Sequence, residues 1–589
     1  MIVPMKKITF LGIESEKDQF IKRLQEVGVV HLIYPQEAVD PSDLVRELQR
    51  VVEAKKFLAK KGSAGNPEKI LDSKAICAQR EALGQEEARI NGEINVLKKD
   101  RALIEPWGDF SLEDLELLLN SGLQVYFFRV PKKVFYMLPI SDLYCYMAQE
   151  KAGEICFTVL SSEPVQLGVP EEKLPSKSLS EIDREIALKQ ADLLRIEKEY
   201  VALAEHLKAL KDAEERLTDI VEYQRALLNI RPELEDRIFV VQCWSPMAEE
   251  ELFQKIGTSF TFYHYSEDPR DDDRVPVLMK NPSPFASGED LVKGYSYPGY
   301  KDVDPSPFVL YCFAVFFGMI IGDAGYGLTC LAITIFLHHK FRSDSPFAVR
   351  FFRMMYLLSF AVIAFGVLSG SYFGIVLHSN NPLLKLCVLN MTTIKGQNQV
   401  MIVSMVMGLV HLSMSHAIKF YNTRNYASIG WIITGWSGYF LINSTMGKGT
   451  DNPVAMYCMI GGLAIILFFS SGSRNIFLRI ALGLNAVLGI VQFFSDVLSY
   501  LRLFALGVAT VYMAQTFNML ADQIVQGVPW VGFILAGLVA LVGHTVNLAL
   551  GVMGGVVHGL RLNFLEWYRW SFEGDGLPYK PFQQISKQE

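Results

Sequence analysis

Arg502 stands in the run LSYLRLFALGVATVYMAQ (498–515), well inside a long apolar stretch. A guanidinium stays charged in a protein and is costly in lipid, so it must face water, a carboxylate or the headgroups. A second arginine, Arg561, lies in the last apolar segment, GHTVNLALGVMGGVVHGLRLNFLEWYRW (543–570), with His544, Asn547, His558 and Glu566. Asp496 precedes Arg502 by six residues, and Gln515 lies farther along the same predicted helix. Two deep arginines on neighbouring long helices read as a site that handles a carboxylate within a membrane. Arg561 and Glu566, near a helix end, also admit plain snorkelling to the interface. Gly551, Gly554, Gly555 and Gly559 permit close helix contact, and packing alone is a sufficient reason for them.

The surrounding composition is divided. The chain has 589 residues, too many for one ordinary soluble core. Its mean hydropathy of +0.21 conceals a charged first half and an apolar second half. A soluble region joined to a membrane region follows. The net charge of -7 argues against nucleic acid as a partner. Eight cysteines are scattered without a CxxC pair or a Cys/His cluster, so free thiols are expected, with no metal and no cofactor. Lys6 and Lys7 precede only a short apolar run, ITFLGI, which is not a signal peptide. The soluble half is therefore expected in the cytosol.

In that half, KITFLG (7–12) predicts a strand and SEKDQFIKRLQEVG a helix that buries Phe20, Leu24 and Val27 and stops at Gly28. VVHLI (29–33) predicts the next strand. No phosphate-binding glycine pattern follows the first strand. From about Asp43 to Ile104 the chain reads as helix, interrupted from Gly62 to Pro67. Beyond the break, Ile76, Leu83, Ile90, Leu97 and Ile104 recur every seven residues, with Ile94 beside them. A second charged helix runs from about Leu179 to Leu228, with an approximate three/four apolar spacing. Two long amphipathic segments around a compact insert at 108–165, which holds VYFFRV and ICFTVL, suggest an antiparallel helical hairpin; an ordinary helical bundle is the alternative. RIFVVQCWSP (237–246) and EEELFQKIG predict a second small α/β unit.

The apolar half opens on DPSPFVLYCFAVFFGMIIGDAGYGLTCLAITIFLHH (304–339), too long for one ordinary span. It reads either as one long kinked helix or as two short helices that turn near GDAGYG, where Asp323 lies among glycines. Further apolar stretches cover about 352–376, 398–418, 427–443, 454–470, 481–521 and 530–557. Lys340, Arg342, Arg350 and Arg353, then Lys419 and Arg424, then Arg474 and Arg479 mark three connections that the positive-inside rule assigns to the cytosol. A cytosolic N-terminal half then requires an even number of crossings before Lys340, which favours the hairpin, about eight membrane segments and a cytosolic C-terminus.

These residues carry a resemblance. GMIIGDAGYG (318–327), SDVLSYLRLFALGVA (495–509), GHTVNLALG (543–551), VHGLRLNFLEWY (557–568) and a GDGLPYKPF tail resemble subunit I of bacterial and archaeal V/A-type ATPases, the counterpart of the eukaryotic vacuolar ATPase subunit a. VPVLMKNPSPF (275–285) and YPGYKDVDPSPF (297–308) look like the family's passage into the membrane. The resemblance covers nearly the whole chain. It implies a cytosolic arm at 1–300 of α/β lobes joined by an antiparallel helical hairpin, an all-α polytopic membrane domain at 301–575, and a cytosolic tail at 576–589. It implies a multi-pass stator in the cell (inner) membrane, beside a rotor ring of proteolipid subunits that each carry an ion-binding carboxylate, with membrane lipid around it. Peripheral stalk subunits bind the arm, and the soluble ATPase subunits hold the hydrolytic sites. Arg502 matches the family's essential arginine and Arg561 its second. Asp496, Gln515, His544, Asn547, His558 and Glu566 are expected to line half-channels or support the arginines, and Asp323 to serve a structural turn. The eukaryotic branch carries an acidic residue ten positions before the second arginine; here that position is Gly551. Two other functions compete: a secondary transporter whose arginines bind an anionic substrate, and a membrane anchor whose arginines serve only packing.

Overall fold

A computed structural model describes residues 1–585, except 36–38, 64, 66–70, 141–142, 152, 175–176, 234–236, 258–259, 342–344, 376–384, 449–451, 472–474, 528–529, 573 and 575. Arg342, Arg474, Asp575 and part of the Gly62–Pro67 interruption thus lie outside the described residues.

The first half is mixed α/β. It begins with β1 (Lys6–Ile13), α1 (Lys17–Val27), β2 (His31–Leu32), α2 (Ser42–Leu58) and α3 (Ser73–Ile104). α4 (Leu112–Asn120), β3 (Gln124–Pro131), α5 (Lys132–Phe135), β4 (Tyr144–Lys151) and β5 (Glu154–Ser161) follow. The chain continues through α6 (Leu179–Ala204), α7 (Leu207–Asn229), β6 (Arg231–Glu233), β7 (Ile238–Ser245), α8 (Glu249–Ile256), β8 (Phe262–Glu267), β9 (Pro276–Val277) and α9 (Ala286–Tyr295). Gly28 ends α1 in the left-handed conformation, at φ 67°, as its lack of a Cβ permits.

The segments expected to form two separate small α/β units share one sheet. β1 pairs antiparallel with both β7 and β8, and β2 and β6 also pair with β7. Ile8, Phe10, Phe20, Leu24, Phe239 and Val241 are buried together beneath it. Closing one apolar core from both ends of the soluble region buries more area than two two-stranded units would. The insert forms its own three-stranded sheet, in the order β3-β5-β4. All five residues of the seven-residue row, Ile76, Leu83, Ile90, Leu97 and Ile104, are buried. The row packs against α6, with Arg195 on Glu86 near one end (3.0 Å) and Arg101 on Asp183 near the other (2.7 Å). The expected single helix over 179–228 is broken at Glu205–His206 into α6 and α7.

The second half is all-α: α10 (Ser306–Ile321), α11 (Ala324–Lys340), α12 (Pro346–Ser369), α13 (Ile394–Thr423), α14 (Ala427–Lys448), α15 (Pro453–Phe469), α16 (Ile476–Leu488), α17 (Ile490–Ser499), α18 (Leu501–Gly527), α19 (Gly532–Arg561) and α20 (Tyr568–Ser571). Among the described residues, four helical spans are long and apolar enough to cross a membrane: Pro346–Ser369, Ile394–Thr423, Ile476–Gly527 and Gly532–Ser571. α10 and α15 are shorter apolar helices. The chain is a multi-pass membrane protein with a soluble N-terminal region.

The 304–339 segment is two helices. Gly322 closes α10 in the left-handed conformation, and the Asp323 carboxylate caps α11 at the Tyr326 nitrogen. Both helices lie against α12. Ser287, beside the start of α10, donates to the Arg350 carbonyl, and Gly318 abuts Ala361, so α10 runs with α12. Gly327 abuts Ile363 while His338 stacks on Phe352, so α11 runs against it.

The tail does not hang free. β10 (Leu577–Pro578) pairs with β9, Phe582 is buried in the core beneath β1, and the Phe582 nitrogen donates to the Val30 carbonyl at 2.8 Å. The last membrane helix is thereby tied to the N-terminal sheet.

Candidate functional site

α18 and α19 lie side by side, and their facing ends carry the two arginines. Arg502 begins α18 and Arg561 ends α19. α19 continues into a π turn over Leu562–Trp567, and this turn brings Glu566 back under Arg561. Arg561 Nε lies 3.4 Å from Glu566 Oε1, and Arg502 NH1 lies 3.9 Å from the same oxygen. Glu566 is 4% exposed, whereas the Arg561 side chain is 50% exposed. The Arg502 contact is too long for a hydrogen bond, and NH1 is buried without a hydrogen-bond partner. Glu566 Oε2 is likewise buried and unbonded. The guanidinium is therefore held beside an anion without being saturated by it. A buried donor left unmet is rare in folded proteins and calls for an explanation.

Asp496 lies next to this cluster but has its own partners. It accepts from Gln492 (2.7 Å) and from the Trp570 indole (2.9 Å), and Arg569 approaches it at 3.5 Å. His558, one turn before Arg561, has a buried, unbonded Nδ1 and lies within electrostatic reach of both arginines. Behind these groups, Tyr500 meets His411 at 2.7 Å, and His411 stacks on Trp567 at 5.2 Å. This apolar and aromatic layer fixes the π turn.

The remaining expected residues gather elsewhere. His544 contacts the Tyr326 hydroxyl through Nδ1 (2.7 Å) and Asn518 through Nε2 (3.0 Å). Asn547 donates to Tyr326 and to the Thr510 carbonyl, both at 2.9 Å, a helix-to-helix bond in a buried position. Asp323 is fully buried and accepts from the nitrogens of Tyr326, Phe373 and Gly374 and from the Ser371 hydroxyl. Gln515 is half-buried on α18, beside Gly374. Arg502 and Asn518 are sixteen residues apart on one helix, which at 1.5 Å per residue separates the two polar clusters by about 24 Å. Between them Gly551, Gly555 and Gly559 pack α19 on Ile321, Phe317 and Phe313 of α10. At Gly551 a Cβ would meet Ile321 at 3.6 Å, an ordinary contact.

Sequence reasoning missed Arg569, Trp570, Tyr326 and Asn518, and it counted His411 and His416 only as parts of an apolar stretch. Two histidines five residues apart in an otherwise apolar helix were a usable signal. The partners of Asp496 and His544 were not, since they depend on how separate helices pack.

No family model matches the chain. It is 27% identical to a V-type ATP synthase subunit I of Chlamydia trachomatis serovar D, with 99% of each chain covered. It is 25% identical to a V-type ATP synthase subunit I of Borreliella burgdorferi, with 100% of each covered. It is 26% identical to an A-type ATP synthase subunit I of Methanocaldococcus jannaschii over 70% of this chain and 64% of the relative. Similarity to bacterial V-type ATP synthase subunit I proteins thus runs from one end of the chain to the other.

Proposed function

We propose that this chain is the membrane stator of a rotary V/A-type ATPase, in which Arg502 and Arg561 receive a carboxylate carried past them by a rotor ring of proteolipid subunits. The observation that carries this reading is the convergence of two arginines from α18 and α19 on one buried oxygen of Glu566, with Arg502 NH1 left unbonded. The arginines adjoin an outward apolar face: Leu538, Leu541, Val546, Leu550, Met553 and Val557 on α19 are exposed, and Arg561 continues their stripe. On α18 the small residues Ala505 and Ala509 stand outward one and two turns beyond Arg502. Small side chains there let a moving helix approach the guanidinium.

The mechanism follows from the charges. A ring carboxylate that has released its ion is an anion in lipid and needs a cation beside it. Arg502 supplies one and stays charged, so it passes no proton between the two aqueous paths. Glu566 keeps the pairing from becoming too tight, because the arginines are already partly neutralised. The cluster of His544, Asn518 and Tyr326 lies where the path to the opposite surface would run, with Asp323 capping α11 beside it, and Asp496 and His558 lie where the near path would run. Asn547 serves chiefly to lock α19 to its neighbours. The hydrolytic chemistry belongs to other subunits.

The soluble region reads as the stator arm. The α3–α6 pairing forms an antiparallel hairpin between the five-stranded and three-stranded sheets, the two lobes, and the lobes meet the peripheral stalks. The tail seated on the N-terminal sheet keeps both termini on one side, and the positive connections make that side the cytosol.

Cross-linking tests the reading. Ala509→Cys or Val557→Cys, paired with a cysteine beside the ring carboxylate, forms a disulfide in the assembled complex. An intact complex in which neither position cross-links contradicts the assignment of this face.

A further inference from the structure

A second polar space lies in the helix bundle, away from the arginines. It is a cavity of about 320 Å³ between the C-terminal end of α13, the start of α14, and α15, α16 and α20. It sits at the end of the bundle nearest the soluble region. There Ile418 packs with Val277, Met279 and Val292, and Asn422 donates to Asp302.

Its wall holds His416, which is 1% exposed and has neither ring nitrogen bonded to protein. Three aromatic rings surround the imidazole: Trp431 stacks at 6.0 Å, Phe493 lies at 5.7 Å and Trp570 at 5.1 Å. The rings cover the imidazole, and His416 is among the residues that line the cavity. The Ser470 hydroxyl is also buried and unbonded in this wall. Lys419 and Asn425 stand with them. Asn425 spends its carbonyl oxygen on the Ala427 nitrogen, which leaves its amide nitrogen as a donor. No acidic residue is among the described residues of the wall. A cavity furnished with an ammonium, an amide, a hydroxyl and an imidazole, without a carboxylate, is built for an anion.

The surroundings identify the carrier of that anion. Phe468, Phe469, Phe477 and Leu482 on α15 and α16 are exposed beside it. Arg479 lies over the Phe469 ring, and indoles line the cavity, the composition of a membrane interface. We propose that the cavity is a headgroup site for an anionic phospholipid. Its phosphate is held by Lys419, Asn425 and His416, and its acyl chains lie along the exposed apolar surface of α15 and α16.

Native mass spectrometry of the intact, detergent-purified complex tests this. Phosphatidylglycerol is the probe, phosphatidylcholine the neutral control and inorganic phosphate the competitor. The wild-type complex is expected to retain one more phosphatidylglycerol per copy of this chain than the Lys419→Gln complex. Loss of one charge-assisted contact lowers affinity about tenfold. His416→Leu is expected to act in the same direction; if that variant fails to assemble, Lys419→Gln alone decides. Equal retention by wild type and Lys419→Gln overturns the proposal. So does retention of phosphatidylcholine equally well, or displacement of the bound lipid by millimolar inorganic phosphate, which would make the cavity a site for the free anion.

Discussion

Arg561 and Glu566 are five residues apart, yet Arg561 Nε lies 3.4 Å from Glu566 Oε1. In a straight α-helix residues at this spacing point about 140° apart. The π turn over Leu562–Trp567 closes that angle. Single π turns inside α-helices are frequent at functional sites, and one of them re-aims a side chain without ending the helix. Here the re-aimed group is a buried carboxylate placed between two arginines.

Removing that carboxylate leaves two guanidiniums close together with nothing between them. Glu566→Gln keeps the shape and deletes the charge. Since Arg561 is half exposed, solvent screens part of the cost, and a loss of about 1–3 kcal/mol is expected. A thermal melt of the purified complex reads it as a lower Tm. An unchanged Tm would mean that Glu566 does not hold the arginines.

Asp323 faces four donors and no solvent. Asp323→Asn turns one acceptor into a donor that opposes a donor, at an expected cost of about 1–3 kcal/mol. The loop that follows α12 should loosen, measured as faster cleavage by protease near residues 370–375. Cleavage at the wild-type rate would contradict the cap-and-loop role.

The tail is a structural member. Phe582 is 5% exposed in the core beneath β1. Phe582→Ala in the full chain should cost about 3 kcal/mol or more, read as earlier thermal loss of the soluble region and release of the tail to carboxypeptidase. A tail equally resistant in both chains would contradict this.

His31 makes the same junction sensitive to acid. Its Nδ1 meets the backbone of Lys580 at 3.0 Å, and burial lowers its pKa below the ordinary 6.5. The unfolded or undocked state then binds more protons, so stability is full above pH 6.5 and is lost as pH falls towards the lowered folded value. Tail release by protease should rise as pH drops below 6.5, and His31→Gln should flatten the profile. The same slope in His31→Gln would assign the effect to other groups.

Arg502 was legible in the sequence because a permanent charge inside an apolar run has few explanations. The row from Ile76 to Ile104 was legible because its spacing keeps one face of a helix buried, and all five positions are. The single sheet was not. Lys6 pairs with Ser245, a separation that no local pattern reports. The tail was missed for the same reason: Tyr579 donates to the Val29 carbonyl from a Pro/Gly-containing segment without periodicity. Glu566 was visible as an ionisable residue, but its place between the arginines depends on a π turn that the run LNFLEW does not announce.

The central claim is that Arg502 receives a moving carboxylate. Replacing Arg502 with Ala in the whole complex, then measuring assembly and ATP-driven ion pumping in the same preparation, tests it most directly. The account predicts a complex of normal composition that hydrolyses ATP without building an ion gradient. Pumping at the wild-type rate would contradict it.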